Sequence, residues 1–213
     1  VNIMQKRTED KKYGIEKLLK KKEQIFSAFV KGQVAPFLEN HTRILDEYFC
    51  EGFEKSMVGP QLAINKNPYA IIALGGYGRG EQCFHSDVDI LFLFKNRIPG
   101  EAEALIREII YPLWDIGLDI GHATRTLKDS ISLASTDFEV LTSLLDARFI
   151  CGMSPLYSEM MEQVRKKVIL KQSNKIISWL VDTNKERHQH FGDATYMLEP
   201  NLKEGQGGLR DYH

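Results

Sequence analysis

An apolar run, Tyr69-Ala70-Ile71-Ile72-Ala73-Leu74, stops at a glycine-rich turn, Gly75-Gly76-Tyr77-Gly78-Arg79-Gly80, and a second run follows as Val88-Asp89-Ile90-Leu91-Phe92-Leu93-Phe94. A short continuous apolar run ended by glycine reads as a buried strand. Such strands must be covered by other elements, which constrains the whole chain to a layered core. The glycines let backbone N–H groups come close to a bound phosphate, best at the start of a helix, where the dipole favours anions. Asp87 and Asp89 stand at the entry of the second strand. Side chains two apart in a strand point to the same side, so the two carboxylates converge on one point.

Two converging carboxylates beside a phosphate cradle suit Mg²⁺, which takes a few carboxylate oxygens and completes its shell with substrate phosphates. Either feature alone is ordinary, since glycine belongs in turns and Asp-x-Asp commonly marks a solvated strand end. Their order and spacing carry the argument. Two other phosphate motifs are excluded: no Gly-x-x-x-x-Gly-Lys-Ser/Thr occurs, and Gly76-x-Gly78-x-Gly80 lacks the third spacing of a dinucleotide fingerprint.

The rest of the chain supplies the covering elements. Residues 13–31 carry Ile15, Leu18, Leu19, Ile25, Phe26, Phe29 and Val30 at helical spacing with lysines opposite, and Lys20-Lys21-Lys22 reads as a solvated helix face. A second helix is expected from Ala35 to about Phe53. Glu101 to Trp114 is amphipathic, Gly117 ends it, and Leu118 to Thr126 reads as a third strand. Asp137 to Ile150 is expected to be helical, capped by Asp137 or Thr136. Pro155 opens a long helical region reaching about His190. This predicts an α/β (α+β) architecture: residues 1–60 an N-terminal helical segment, 61–135 the sheet core, and 136–213 a C-terminal helical region cut from a longer helical domain.

Composition bounds the function. The 213 residues are 43% hydrophobic and 27% charged with a net charge of −1, so no global basic field argues for nucleic acid. The apolar runs are strand-length, so no membrane span is expected. Cys50, Cys83 and Cys151 are scattered, which fits a reducing cytoplasm without a disulfide framework.

Gly75-Gly76, ten residues, then Asp87-Val88-Asp89 resembles the signature of the polymerase-beta-type nucleotidyltransferase superfamily. The fuller string from Leu74 to Phe94 is similar to the branch that uridylylates the nitrogen regulatory protein PII. Ile120-Gly121-His122-Ala123-Thr124-Arg125-Thr126-Leu127 and Leu198 to Asp211 agree with that branch, so the resemblance covers about residues 70 to 211. It implies a small mixed sheet and transfer of a nucleotidyl group, with UTP as donor, a tyrosine of a PII-like protein as acceptor, and two Mg²⁺ ions, or Mn²⁺. It also implies metal-binding and catalytic roles for Asp87 and Asp89, and a third carboxylate on a later strand.

Asp119, entering the third strand, is the best candidate for that carboxylate; Asp115 competes but sits near a helix end. Gly75 and Gly76 would hold phosphates through backbone amides. Ser86 either adds a hydroxyl hydrogen bond or caps the strand. Arg79 either pairs with triphosphate oxygens or forms a salt bridge with Glu81 or Asp87. His122 reads first as a satisfied core histidine, Cys83 as a passenger in the loop, and Arg210 or Asp211 as residues that could reach the nucleotide. His188 and His190, two apart on a helix, face apart and make a poor metal pair. The exposed N-terminal helix pair offers a surface for a homo-oligomer. The alternative is a non-catalytic nucleotide-sensing module, or a CBS-linked relative with another acceptor.

Overall fold

The computed structural model describes residues 2–33, 36–56, 59, 67–191 and 201–213, in two compact units divided between Val164 and Arg165. The expected boundary at 60/61, the start of the second helix at Ala35, Gly192 and the Leu198-Glu199-Pro200 motif lie outside the described residues.

The first unit is built on a four-stranded mixed sheet in the order β3-β2-β1-β4. Its strands are β1 (Tyr69–Leu74), β2 (Val88–Phe94), β3 (Ile120–Thr126) and β4 (Arg148–Gly152). β1 runs antiparallel to β2 and β4, and β2 runs parallel to β3. The two apolar runs of the sequence are therefore the two central strands. All of β1 is buried, and all of β2 except Asp89.

Period-two alternation sorts their side chains between two faces. Ile71, Ala73, Ile90, Phe92 and Phe94 join one cluster with Leu45, Phe49 and Phe53 of α2 (Phe37–Lys55) and Leu105, Ile109 and Leu113 of α4 (Ala102–Asp115). Burying each large side chain of this kind contributes about 1.5–3 kcal/mol. Ile72, Leu91 and Leu93 face the other way. On that side lie α5 (Leu127–Thr136), α6 (Phe138–Leu145) and α7 (Ser154–Gln163), with Leu141, Leu144, Leu156 and Met160 buried. Asp89 shares the face of Leu91.

α1 (Asn2–Val30) lies along α2, with Leu18 buried and Lys17 and Lys21 paired to Glu51 and Glu47. Lys22 sits over the Phe84 ring, 5.4 Å from its centroid, so Lys21 and Lys22 are engaged rather than merely solvated.

One expected element is corrected. The helix predicted for 137–150 ends at Leu145, and Arg148–Gly152 is an edge strand on β1. The apolar spacing of 138–150 suits a helix throughout; pairing with β1 overrides it, as tertiary context does for strand propensity. Asp137 does cap α6, accepting hydrogen bonds from the Glu139 and Val140 amides at 2.9 and 3.2 Å. α5 was not anticipated, although Thr126 and Asp129 form a capping box at its start.

The second unit holds α8 (Leu170–Phe191) and α9 (Leu209–Tyr212), and a π-helical stretch, Val164–Ile169, leads into it from α7.

Candidate active site

The glycine turn folds as α3 (Gly75–Gly78), a single helical turn that leaves β1 directly. Gly75 has φ 54°, in the left-handed region that only glycine enters without cost. Gly78 passes so close to the α6–β4 junction that a Cβ there would lie within 3.0 Å of the Asp146 carbonyl oxygen. Arg148 clamps the end of α3: its Nε donates to the Gly78 carbonyl and Nη2 to the Tyr77 carbonyl, each at 3.2 Å. The same guanidinium is bidentate on Asp46 of α2, at 2.7 and 3.0 Å. The buried Tyr77 hydroxyl donates to Asp46 at 2.6 Å. Burial opposes the Arg148 charge, but the hydrogen bond and charge of Asp46 outweigh it and hold the group firmly cationic.

After the turn, residues 81–87 form a loop back to β2. Gln82 is 1% exposed. Its side-chain Nε2 donates to the backbone carbonyls of Ser86 (2.8 Å) and Asp87 (3.1 Å). Its own backbone carbonyl accepts from Nδ1 of the buried His41 on α2, at 2.9 Å. Phe84 packs edge-on to Phe26 and Phe37, with ring centroids 5.4 and 4.8 Å away.

Asp87 is exposed, one residue before β2. Asp89 pairs in register with Leu74 on one side and Gly121 on the other. Its carboxylate lies over both neighbouring glycines: a Cβ on Gly75 would stand 3.5 Å from Oδ2, and one on Gly121 would fall within 3.0 Å of Oδ1. A side chain at Gly121 would therefore displace the Asp89 carboxylate, and glycine leaves it in place. The parallel register sets Val88 opposite Ile120, and the Val88 amide donates to the Asp119 carbonyl at 2.9 Å. Asp87 and Asp119 are the residues just before this first register pair, so both lie at the same end of the two strands. Asp115 closes α4 and is exposed.

Among the described residues no three His, Cys, Asp or Glu side chains are gathered where they could hold a metal ion. Mg²⁺ needs fewer, one or two carboxylates with phosphate oxygens supplying the rest. Asp87 and Asp89, with Asp119 in the next register position, fit that donor chemistry.

A family model described as "Putative nucleotidyltransferase DUF294" matches residues 30–121, which span the turn, both strand-entry carboxylates and Asp119. A second, described as "GlnD PII-uridylyltransferase", matches residues 176–213. The bifunctional uridylyltransferase/uridylyl-removing enzyme of Bradyrhizobium diazoefficiens is 40% identical over 144 residues, 68% of this chain and 16% of its own length. That of Novosphingobium aromaticivorans is 40% identical over the same shares. That of Cereibacter sphaeroides is 42% identical over 142 residues, 67% of this chain and 15% of its own length. The chain belongs to the PII-uridylyltransferase-related nucleotidyltransferases. It spans about a sixth of the length of the curated relatives it matches.

Arg79 donates through Nε to Glu81 at 2.9 Å and through Nη1 to Asp146, so the structure places it in a salt bridge with Glu81 and not with Asp87. Ser86 is half-buried in the bend before Asp87, its amide donating to the Cys83 carbonyl at 3.3 Å. Cys83 is exposed. His122 is exposed on the edge strand, its ring against Trp114 and Phe92, and is not the core histidine expected of it. A strand at the sheet edge leaves one flank open, which apolar spacing alone does not reveal. The wide groove beside the turn, which Phe37, Arg43, Arg79, Glu81 and Arg148 help to line, includes none of the three carboxylates.

Asp46, Arg148, Gln82 and His41 were not singled out in the sequence. Nothing local marks the first two, which are 102 residues apart and meet only through the fold. Gly121 did carry a signal, since glycine inside a strand marks close approach of another group.

In the second unit Asp211 accepts from the Gly207 amide at 2.7 Å and from His188 at 2.9 Å, and pairs with Arg187. The Gly207 hydrogen bond, then His188, holds its carboxyl below the ordinary range. Arg210 pairs with Glu204 at 3.0 Å. His190 packs on Phe191 while His188 meets Asp211, so the two histidines act apart, as expected. Among the described residues no helix is long and apolar enough to cross a membrane.

Proposed function

We propose that this domain transfers a nucleotidyl group, UMP from UTP, to a tyrosine hydroxyl of a PII-like regulatory protein, in nitrogen signalling in the cytoplasm. The observation that carries the reading is the placement of Asp87 and Asp89 at the head of β2, with Gly75 and Gly121 flanking the Asp89 carboxylate and Asp119 one register step away. The printed name of the relatives, uridylyltransferase, supports uridine as the base.

In the reaction the acceptor oxygen forms a bond to the α-phosphorus, the bond from that phosphorus to the bridging oxygen breaks, and pyrophosphate leaves. The proton of the attacking hydroxyl goes to a carboxylate, for which Asp119 is the candidate. Asp87, Asp89 and Asp119 are the residues that would hold Mg²⁺, which when bound neutralises charge on the phosphate oxygens. The amides of Gly75 and Gly76, at the open end of α3, orient the triphosphate, because the first N–H groups of a helical turn have no acceptor within it. Ser86 sits where its hydroxyl can add to that set. Arg79, through Glu81 and Asp146, holds the turn rather than reaching for phosphate.

The test is incubation with Mg²⁺ or Mn²⁺, α-labelled UTP or ATP and a PII protein, beside Asp89→Asn. Label on the acceptor with UTP is expected, reduced at least about a hundredfold in the variant, the scale on which a lost charge-stabilising group acts. Label from ATP alone would reassign the base. Nucleotide binding without transfer to any acceptor, by folded protein, would sink the enzymatic reading in favour of a sensing module.

A further inference from the structure

We propose that Gln82, braced by His41, is a positioning residue that sets the direction of Asp87. This rests on the reading of Asp87 as a site carboxylate. A backbone carbonyl can only accept, so the carbonyls of Ser86 and Asp87 fix the amide nitrogen of Gln82 toward the loop. One NH₂ group thereby closes a ring from residue 82 to residues 86 and 87, and the peptide that carries Asp87 is held from inside. The Gln82 backbone carbonyl likewise fixes a proton on Nδ1 of His41. His41 is 2% exposed, and its ring is held against Phe84 at 4.7 Å and Phe37 at 6.1 Å. The brace therefore ends on α2, an element outside the sheet. It gives α1 and α2 a role in the site: they fix the acidic loop through one hydrogen bond, from His41, and through the contacts of the Phe26, Phe37 and His41 rings with Phe84.

Neither Nε2 of His41 nor Oε1 of Gln82 has a hydrogen-bond partner, and both are buried. A buried unsatisfied atom costs about 1–3 kcal/mol. Apolar residues would avoid that cost, so the polar pair is better explained by what it holds than by stability.

Gln82→Met keeps the length and volume of the side chain and removes both donors. Three quantities are read on the whole chain: the melting temperature, amide hydrogen exchange of residues 83–88 against Ile71 and Ile72, and Mn²⁺ binding by electron paramagnetic resonance with and without UTP. We expect an unchanged or higher melting temperature, exchange of 83–88 at least about tenfold faster, and a tenfold weaker Mn²⁺ midpoint, equal to about 1.4 kcal/mol. His41→Phe, which keeps the ring stack, is expected to move exchange in the same direction by less. Unchanged exchange in Gln82→Met overturns the brace. Faster exchange with Mn²⁺ affinity intact, while Asp87→Asn weakens it, overturns the positioning role. An Asp87→Asn variant that binds Mn²⁺ as tightly as the parent sinks the underlying reading of Asp87, whatever Gln82→Met does.

Discussion

Residues 75–80 and residues 81–87 form one continuous excursion between β1 and β2, yet α2 holds its two halves by different chemistry. The turn is held by charge: Arg148 grips the Tyr77 and Gly78 carbonyls and is itself gripped by Asp46, while Arg79 bridges Glu81 and Asp146. The loop is held by neutral buried groups, His41 and Gln82, with Phe84 in an aromatic cluster. The turn's ion pairs stay partly open to water, where ions need not be desolvated and where salt screens them. The loop's hydrogen bonds join uncharged groups and are indifferent to salt. One helix thus anchors both restraints on the two parts that flank the carboxylates: its Asp46 holds the arginine clamp under the glycine turn, and its His41 completes the uncharged brace under the acidic loop.

The largest effect expected on this contrast comes from the backbone. Gly78→Ala would force a Cβ within 3.0 Å of the Asp146 oxygen, with the Ala73 oxygen only 3.1 Å away. Both obstacles are backbone, so the turn must shift; we expect a loss of about 3 kcal/mol, the upper end for overpacking. For a chain of this size that lowers the melting temperature by about 6–12 °C. Gly80→Ala is the control. Its φ is 78°, but nothing lies within 4 Å of the added carbon, so only the left-handed strain of about 1–2 kcal/mol remains. Equal melting points for the two alanine variants would mean that the close packing under the turn does not limit it.

The second effect separates charge from neutrality. Arg148→Met leaves two carbonyls of α3 without their side-chain donor and the Asp46 carboxylate with only the Tyr77 hydroxyl, and is expected to cost about 1–3 kcal/mol. Raising ionic strength should narrow the gap between Arg148→Met and the parent, because salt weakens only the charged clamp. The gap between Gln82→Met and the parent should not move with salt. Thermal melts of the three proteins across a salt series decide the matter, and parallel salt responses would erase the distinction drawn between turn and loop.

Local pattern and long-range contact divide this region in the same way. β1 and β2 were legible to the residue, because each is a short apolar run ended sharply by glycine or by charged and polar residues, and Asp87 and Asp89 stand at the entry of the second. Asp119 was legible as a strand entry, and the register then put it at the same strand end as Asp87. What stayed hidden was everything decided by contact over distance. Arg148 lies on β4, whose half-exposed sequence continues a helical spacing, and its partner Asp46 is one acid among several on α2. Gln82 and His41 look like polar residues on a loop and a helix until the fold buries both. His122 failed in the opposite sense, since its strand, expected to bury a histidine, proved to be an edge of the sheet. Sequence periodicity reports which face is buried; it does not report which polar groups meet there.

The smallest effect is a matter of pH, and it tests whether the brace is neutral. Burial, the largest cause, and then the charge of Lys22 lower the His41 pKa, against the raising effect of the Gln82 carbonyl. The folded protein therefore binds this proton less readily than the unfolded chain, whose imidazole titrates near 6.5. Above that value both states are neutral and the contribution is complete. As pH falls below about 6.5 the unfolded state takes up the proton first, so stability declines until the folded value is passed. His41→Asn keeps a donor at the Nδ1 position and cannot titrate. The difference in unfolding free energy between His41→Asn and the parent should thus move in favour of the variant between pH 7 and pH 5, with the other ionisable groups cancelling because they are common to both. A difference that is flat over that interval would mean that the histidine is not held neutral, and a difference moving the other way would mean that the loop is braced by an imidazolium, a cation like the one that clamps the turn.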